Sequence, residues 1–274
     1  MSVSKVTLFL VATPIGNLNE ASPRVIETLK NVKVIACEDT RNTLKLLSHF
    51  DIHTKMLSYH NFNEEKACVD ILNYLDNGDD VALVSDAGYP LLSDPGYVLV
   101  NEVIKKGYNI NTVSGPNAAI NALVASGLST NHYLFYGFLN AKSSSAKKEL
   151  MELKEFPYTI IFYEAPHRIN KTLKLVLEVF GDRRAVVARE LTKIHEEYLR
   201  GNLSELCQIE EFKGELVLIV EGFKKDEVEI DFTLLKKEVD KLVDSNVKTK
   251  EAIKIVSEEY QVSKNELYDY YHKK

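Results

Sequence analysis

Short apolar runs alternate along the chain with longer segments whose apolar positions recur every three to four residues. Val6–Ala12, Val32–Cys37, Val81–Val84 and Tyr108–Val113 are near-continuous apolar or β-branched runs and read as strands. Pro23–Lys30, Thr40–His49 and Glu64–Asn77 read as helices between them, the last stopping at Gly78. Asp94-Pro95 predicts an N-cap with proline at the first helical position. Pro116 is expected to open an alanine-rich helix to Ser126. Apolar strands alternating with helices predict a largely parallel sheet covered on both faces.

The second half is also mixed. Strands are expected at Tyr133–Gly137, Tyr158–Tyr163, Arg184–Arg189 and Glu215–Glu221, and helices at Ser145–Glu155, Pro166–Phe180 and Leu203–Glu211. From Asp226 the pattern is helical only. Leu234, Leu235, Val239, Leu242 and Val243 form one stripe, and Ala252, Ile253, Val256 and Tyr260 a second. Ser263-Lys-Asn-Glu266 is a capping-box signature for a third helix, so the tail resembles a helix-turn-helix unit. A helical appendage packed on the body fits the same pattern. The expected fold is α/β: one α/β domain at 1–117, a second at 118–225, and a helical tail at 226–274.

Composition narrows the class. At 274 residues, with 45% hydrophobic and 27% charged residues, the chain matches a globular protein rather than a disordered or disulfide-rich one. No apolar run approaches the ~18 residues of a membrane helix. The first strand follows the start closely, so no signal peptide is expected, and a cytoplasmic location is. Cys37, Cys68 and Cys207 are far apart and form no C-x-x-C pair, which argues against a metal site or a disulfide framework. Cys37 is expected to be a buried strand residue. The net charge of −6 argues against indiscriminate binding to nucleic acid. Residues 140–200, however, carry 12 Lys+Arg against 9 Asp+Glu, so this segment alone is net +3.

G-x-G-x-x-G, the P-loop, G-x-S-x-G and H-E-x-x-H are all absent, which removes support for dehydrogenase, NTPase, serine hydrolase and zinc protease chemistry. Three loops of small and polar residues follow predicted strands instead: Ala12–Leu18, Ser85–Pro90 and Ser114–Ala119. All three belong on the carboxyl edge of the sheet, where open α/β sheets bind ligands. Asp86 is suited to a ligand amine or hydroxyl, although taken alone it fits better as an aspartate stabilising its own turn.

Longer motifs carry a resemblance. Ala12-Thr-Pro-Ile-Gly-Asn-Leu18, Ala36-Cys-Glu-Asp-Thr-Arg41, Val84-Ser-Asp-Ala-Gly-Tyr-Pro90 with Ser93-Asp-Pro-Gly96, Ile161-Phe-Tyr-Glu-Ala-Pro-His-Arg168 and Val187-Ala-Arg-Glu-Leu-Thr-Lys193 resemble the ribosomal RNA small-subunit methyltransferase I family, of the tetrapyrrole-methylase (class III) fold. The resemblance spans about residues 5–222, and the tail resembles that family's helical extension. It implies two α/β domains with S-adenosylmethionine in the cleft between them. It also implies 2′-O-methylation of a decoding-centre cytidine in 16S rRNA, as naked RNA or in the assembled small subunit, and a homodimer. No metal or membrane is implied. Tyr89, Ser114 and Asn117 stand where the family usually has threonine, proline and serine.

By the same resemblance Pro14, Asp86, Ala87, Gly88, Tyr89, Asn117, Ala118, Tyr163 and Ala188 are expected around the cofactor. Lys193 and Glu190 are the catalytic candidates. A lysine with a lowered pKa suits a base, and a charged one suits stabilising an alkoxide. For Glu190 and Arg189 a structural ion pair is equally compatible. Asp39 or Thr40 is expected to cap the following helix rather than to catalyse. Arg168, Arg183, Arg184, Arg189, Lys147 and Lys148 are the RNA-contact candidates in the basic segment. Lys142, Lys147 and Lys148 flank Ser143–Ser145, read as a loop that serves either as a substrate lid or as an ordinary connection. The alternatives are a tetrapyrrole or diphthine methylase of the same fold, and a non-catalytic ribosome-associated module.

Overall fold

The computed structural model describes residues 6–225, 231–260 and 262–272. The chain divides into two compact units, Met1–Phe223 and Lys224–Lys274.

The first unit holds two five-stranded sheets. In the first sheet β1 (Thr7–Val11), β2 (Val34–Cys37), β3 (Lys55–Ser58), β4 (Val81–Val84) and β5 (Asn109–Val113) run parallel in the order β3-β2-β4-β1-β5. Every residue of β2 and β4 is buried, as their unbroken apolar runs require. Helices α1 (Pro23–Asn31), α2 (Thr40–His49), α3 (Glu64–Asp76) and α4 (Tyr97–Lys105) make the crossovers. Two separate apolar clusters form, one with Val25, Leu29, Leu46 and Leu47, the other with Ile71, Leu75, Leu99 and Val103. Asp39 caps α2 by accepting from Arg41 N at 2.8 Å, and Cys37 is fully buried, both as the sequence suggests.

In the second sheet β6 (Tyr133–Phe138), β7 (Thr159–Glu164), β8 (Arg184–Arg189), β9 (Glu197–Asn202) and β10 (Leu216–Val220) lie in the order β6-β7-β10-β8-β9. Only β6 and β7 are parallel; β10 is antiparallel to β7 and β8, and β9 to β8. Helix α5 (Ala118–Ser126) buries Ala119, Ala122 and Leu123 against Ile161, Val186, Val217 and Ile219. On the opposite face α6 (Ser143–Leu153), α7 (Ile169–Phe180) and the single turn α8 (Leu203–Leu206) cover Ile160, Phe162, Val187 and Leu218. Fully burying each such aliphatic side chain contributes about 1.5–3 kcal/mol.

Several expectations need correction. Asp94-Pro95 does not start α4: the N-cap is Gly96, at φ +139°, and Asp94 is drawn to the site described below. Proline 116 lies outside α5, which Asn117 caps by accepting from Ile120 N at 2.9 Å. Ser143–Ser145 is the first turn of α6, not a loop. α7 begins at Ile169 rather than Pro166, and α8 stops at Leu206 rather than Glu211. The edge strands β3 and β9 carry no apolar run and were not expected.

The second unit contains α9 (Phe232–Asp244), α10 (Thr249–Glu259) and α11 (Lys264–His272). Leu235, Val239, Ala252, Ile253, Val256 and Leu267 form its own buried core, and Tyr271 donates to Asp240 Oδ1 at 2.6 Å. The expected tight turn includes residue 261, which lies outside the described residues. Among the described residues no helix is long and apolar enough to cross a membrane.

Candidate active site

β1 and β4 are neighbours, so the loops that follow them meet. Thr13 and Gly88 exchange backbone hydrogen bonds at 2.8 and 3.0 Å, and Gly88 takes φ +76°, a conformation glycine adopts without penalty. The loop after β5 joins them: Gly115 packs so tightly on Ala12 that a Cβ there would stand 2.9 Å from the Ala12 carbonyl oxygen. Tyr89 Oη accepts from Gly115 N at 3.3 Å, a bridge that a threonine at this position is too short to make.

These loops face the edges of β6, β7 and β10 across a cavity of about 430 Å³, within the range of small-molecule sites. Ile15, Tyr89, Leu92, Phe138, Tyr163, Leu191 and Val217 give it an apolar lining, and Tyr163 meets Phe135 and Phe138 edge-on. The charged residues in its wall are Asp86, Asp94, Glu164 and Glu215; no lysine or arginine is among them. Asp86 accepts from Asp39 N at 3.3 Å and Asn42 Nδ2 at 2.9 Å, which fixes its carboxylate at the rim. Burial pushes the Asp94 carboxyl up to about 6, and Glu38 and Asp86 nearby add to the rise while a Ser85 hydrogen bond opposes it. Glu164 is held by Ala165 N at 2.8 Å, Thr172 Oγ1 at 2.5 Å and Arg168 Nε at 3.2 Å.

Behind the β10 side of the cavity lies an ionic cluster. Lys193 Nζ is 2.9 Å from Glu190 Oε1 and 3.0 Å from Glu215 Oε2. Burial lowers the Lys193 pKa, but the two carboxylates outweigh it and the net shift is upward. Of the two readings of this lysine, the upward shift favours the charged ammonium over the base. Glu190 is held below the usual carboxylate range by the Glu215 backbone N–H and by Lys193. Glu190 and Thr192 both have left-handed backbone, at φ +51° and +68°, so the turn after β8 is strained and well anchored.

Of the expected cofactor residues, Asp86, Ala87, Gly88, Tyr89, Asn117, Ala118 and Tyr163 line one cavity. Pro14 and Ala188 do not. Pro14 is buried beside the lining residue Ile15, and Ala188 packs behind the wall with Ile161 and Val217. Lys193 and Glu190 stand one residue back, touching the cavity through Glu215. The basic candidates are dispersed. Arg168 braces Glu164 and donates to the Leu139 carbonyl at 2.8 Å. Arg183 stacks on Phe180 and Phe223 and donates to backbone carbonyls; Arg184 donates to Gly127 O. These two stand at the opposite end of β8 from Arg189, ~17 Å along the strand at ~3.3 Å per residue. Arg189 pairs with Glu197 and Lys147 with Glu178, while Lys148 is exposed on α6. Sequence reasoning missed the wall residues Asp94, Leu191 and Glu215. Asp94 was hidden by its resemblance to a helix cap, and Glu215 carries no local signal. Among the described residues no group of His, Cys, Asp and Glu is placed to hold a metal ion.

Comparison with known proteins places this architecture. The model of the tetrapyrrole (corrin/porphyrin) methylases matches residues 7–207. The ribosomal RNA small subunit methyltransferase I of Bacillus subtilis (strain 168) is 45% identical over 273 residues, covering 97% of this chain and 94% of that protein. The Vibrio cholerae protein of the same name is 42% identical, covering 95% and 92%. Among solved structures, a diphthine synthase superposes with TM-score 0.62 at 13% identity, covering 79% of this chain and 90% of its own. A Thermus thermophilus uroporphyrin-III-C-methyltransferase gives 0.57 at 16%, covering 78% and 94%. The chain therefore belongs to the tetrapyrrole methylase family, within the group whose members are the ribosomal RNA small subunit methyltransferases I.

Proposed function

We propose that the chain transfers a methyl group from S-adenosylmethionine to the 2′-hydroxyl of a decoding-centre cytidine in 16S rRNA, acting in the cytoplasm as a homodimer. The observation that carries the cofactor assignment is the charge of the cavity wall. Glu164 is matched by Arg168 and Glu215 by Lys193, so the negative charge left to a ligand is that of Asp86 and Asp94; it favours an ammonium and a sulfonium over the phosphates of a nucleotide such as ATP. The apolar lining beside them suits an adenine. When bound, the cofactor supplies an electrophilic methyl group.

The chain's own residues divide the remaining work. Asp86 and Asp94 hold the ligand's cationic end, and Tyr163 with Leu191 packs its flat end. The hydroxyl is a very weak acid; as its oxygen takes the methyl group its proton passes to water, and positive charge near the oxygen eases that loss. Lys193, kept as an ammonium by Glu190 and Glu215, supplies that charge from behind the wall. The near full-length identity to proteins named for the small-subunit RNA favours this substrate. The tetrapyrrole and diphthine enzymes share the fold at far lower identity. Calorimetric titration tests the cofactor half: one S-adenosylmethionine per chain with no heat from ATP is expected, and no heat from S-adenosylmethionine overturns it.

A further inference from the structure

Among the described residues only two large apolar side chains stand almost wholly in water, Phe62 at 98% and Ile194 at 97% exposure; the next, Tyr97, is at 76%. Ile194 sits on a turn that contributes to the cavity wall, and Phe62 on a loop whose flanking residue is bonded to the segment just beyond that wall. Phe62 lies in the loop between β3 and α3, on the same carboxyl edge as the cavity loops. The residues flanking this loop tie it to the cavity wall: Glu64 Oε1 accepts from Tyr59 Oη at 2.7 Å and from Gly96 N at 3.1 Å, two residues beyond Asp94. Ile194 lies in the turn between β8 and β9, whose Leu191 lines the cavity.

Neither loop is loosely held. His60 N donates to Asn63 Oδ1 at 2.8 Å, Asn63 Nδ2 to Ser58 O at 3.0 Å, and Phe62 N to His60 Nδ1 at 3.2 Å. Around Ile194, Lys193 N donates to Glu190 O at 3.0 Å and Glu196 N to Lys193 O at 3.1 Å, while Thr192 N reaches Glu196 Oε2 at 2.5 Å. Both apolar side chains are thus presented outward by fixed backbone.

From this arrangement, and resting on the proposed RNA substrate, we infer that Phe62 and Ile194 hold unstacked nucleobases of the RNA on either side of the reacting nucleotide. Charge supports the occupant. Arg168 and Lys193 offset Glu164 and Glu215, and Arg41 offsets Asp39, which leaves Asp86 and Asp94, with Glu38 close by, as the acidic groups that disfavour phosphates at the wall. RNA approaching this mouth gains contact through base faces, which are uncharged and stack on aromatic and apolar side chains without regard to sequence. Reaching a ribose hydroxyl in a narrow cavity also requires the nucleotide to leave its stack, and a wedge on each side holds its neighbours apart.

The test uses Phe62→Ala, Ile194→Ala, Phe62→Leu and Phe62→Trp in the full-length protein, with small ribosomal subunits lacking the modification as substrate. Each alanine variant is expected to lose about tenfold or more in kcat/KM, the magnitude of one base-stacking contact. Phe62→Trp should retain full activity and Phe62→Leu should fall between it and Phe62→Ala, with S-adenosylmethionine affinity and sedimentation behaviour unchanged in all four. Alanine variants within twofold of the wild-type rate overturn the inference. A change in oligomeric state also overturns it, because it makes these residues subunit contacts. A wild-type protein that binds the cofactor but methylates no rRNA defeats the substrate assignment instead.

Discussion

Gly16 and Lys193 interlock: a Cβ on Gly16 would stand 2.6 Å from Lys193 Cγ and 2.9 Å from its Cε. The loop after β1 thereby presses the lysine stem toward Glu190 and Glu215, and only a residue without a side chain fits. Gly16→Ala is expected to push the ammonium out of its carboxylate pair. Forcing a methyl into a filled space costs about 1–3 kcal/mol. Turnover should fall severalfold while melting temperature drops by only a few degrees, as paired kinetic and thermal measurements will show.

Replacing the lysine tests its role directly. Lys193→Ala is expected to reduce kcat severalfold, because its ammonium, held by Glu190 and Glu215 behind the wall, acts on the oxygen through space rather than as a direct donor. Cofactor affinity should stay within about twofold, because Lys193 does not line the cavity. Retained turnover excludes it from the chemistry.

Much of this site was legible in the sequence because its loops follow apolar strands. The nine individual cofactor candidates come from the family resemblance, and seven of them, Asp86 to Tyr89, Asn117, Ala118 and Tyr163, line one cavity. What was not legible depends on long-range packing. Asp94 looks like a helix cap locally, yet burial near Glu38 and Asp86 turns it into a wall residue. The edge strands β3 and β9 lack the apolar signature because one flank of each faces water. Arg183 reads as an RNA contact by charge alone, but two phenyl rings hold its guanidinium against the body.

Asp94 gives the site a pH dependence. Its folded value of about 6 lies above the ordinary 3.8, so the native state takes up the proton first and stability rises as pH falls through this window. A cationic ligand has the opposite preference and favours the carboxylate. Cofactor affinity is therefore expected to be level above about pH 7 and to weaken progressively below about pH 6. Asp94→Asn should bind more weakly at neutral pH and lose that slope, which titrations at pH 5 to 8 will reveal.

Arg168 separates brace from RNA contact. Its guanidinium pairs with the buried Glu164 carboxylate and reaches the Leu139 carbonyl. Arg168→Ala leaves that carboxylate without its charge partner, a change that costs about 3 kcal/mol for buried pairs and less where one partner is partly exposed. A clear loss of stability in denaturant unfolding is expected. Unchanged stability with a raised KM for RNA would make Arg168 a substrate contact instead.

The three-helix unit has its own core, so its removal is expected to leave the first unit folded. Truncation before Asp226 should weaken engagement with the ribosomal substrate and spare S-adenosylmethionine binding. An unchanged dependence of rate on substrate concentration contradicts a role for these helices in RNA recognition.

The most direct measurement takes 16S rRNA from a strain lacking this methylation, as naked RNA and within small subunits, and maps ribose 2′-O-methylation after incubation with the protein and S-adenosylmethionine. One new 2′-O-methylcytidine in the decoding centre, absent when the cofactor is omitted, is the predicted result. Methylation at a base atom, at another site, or none in either form of the substrate would contradict the account.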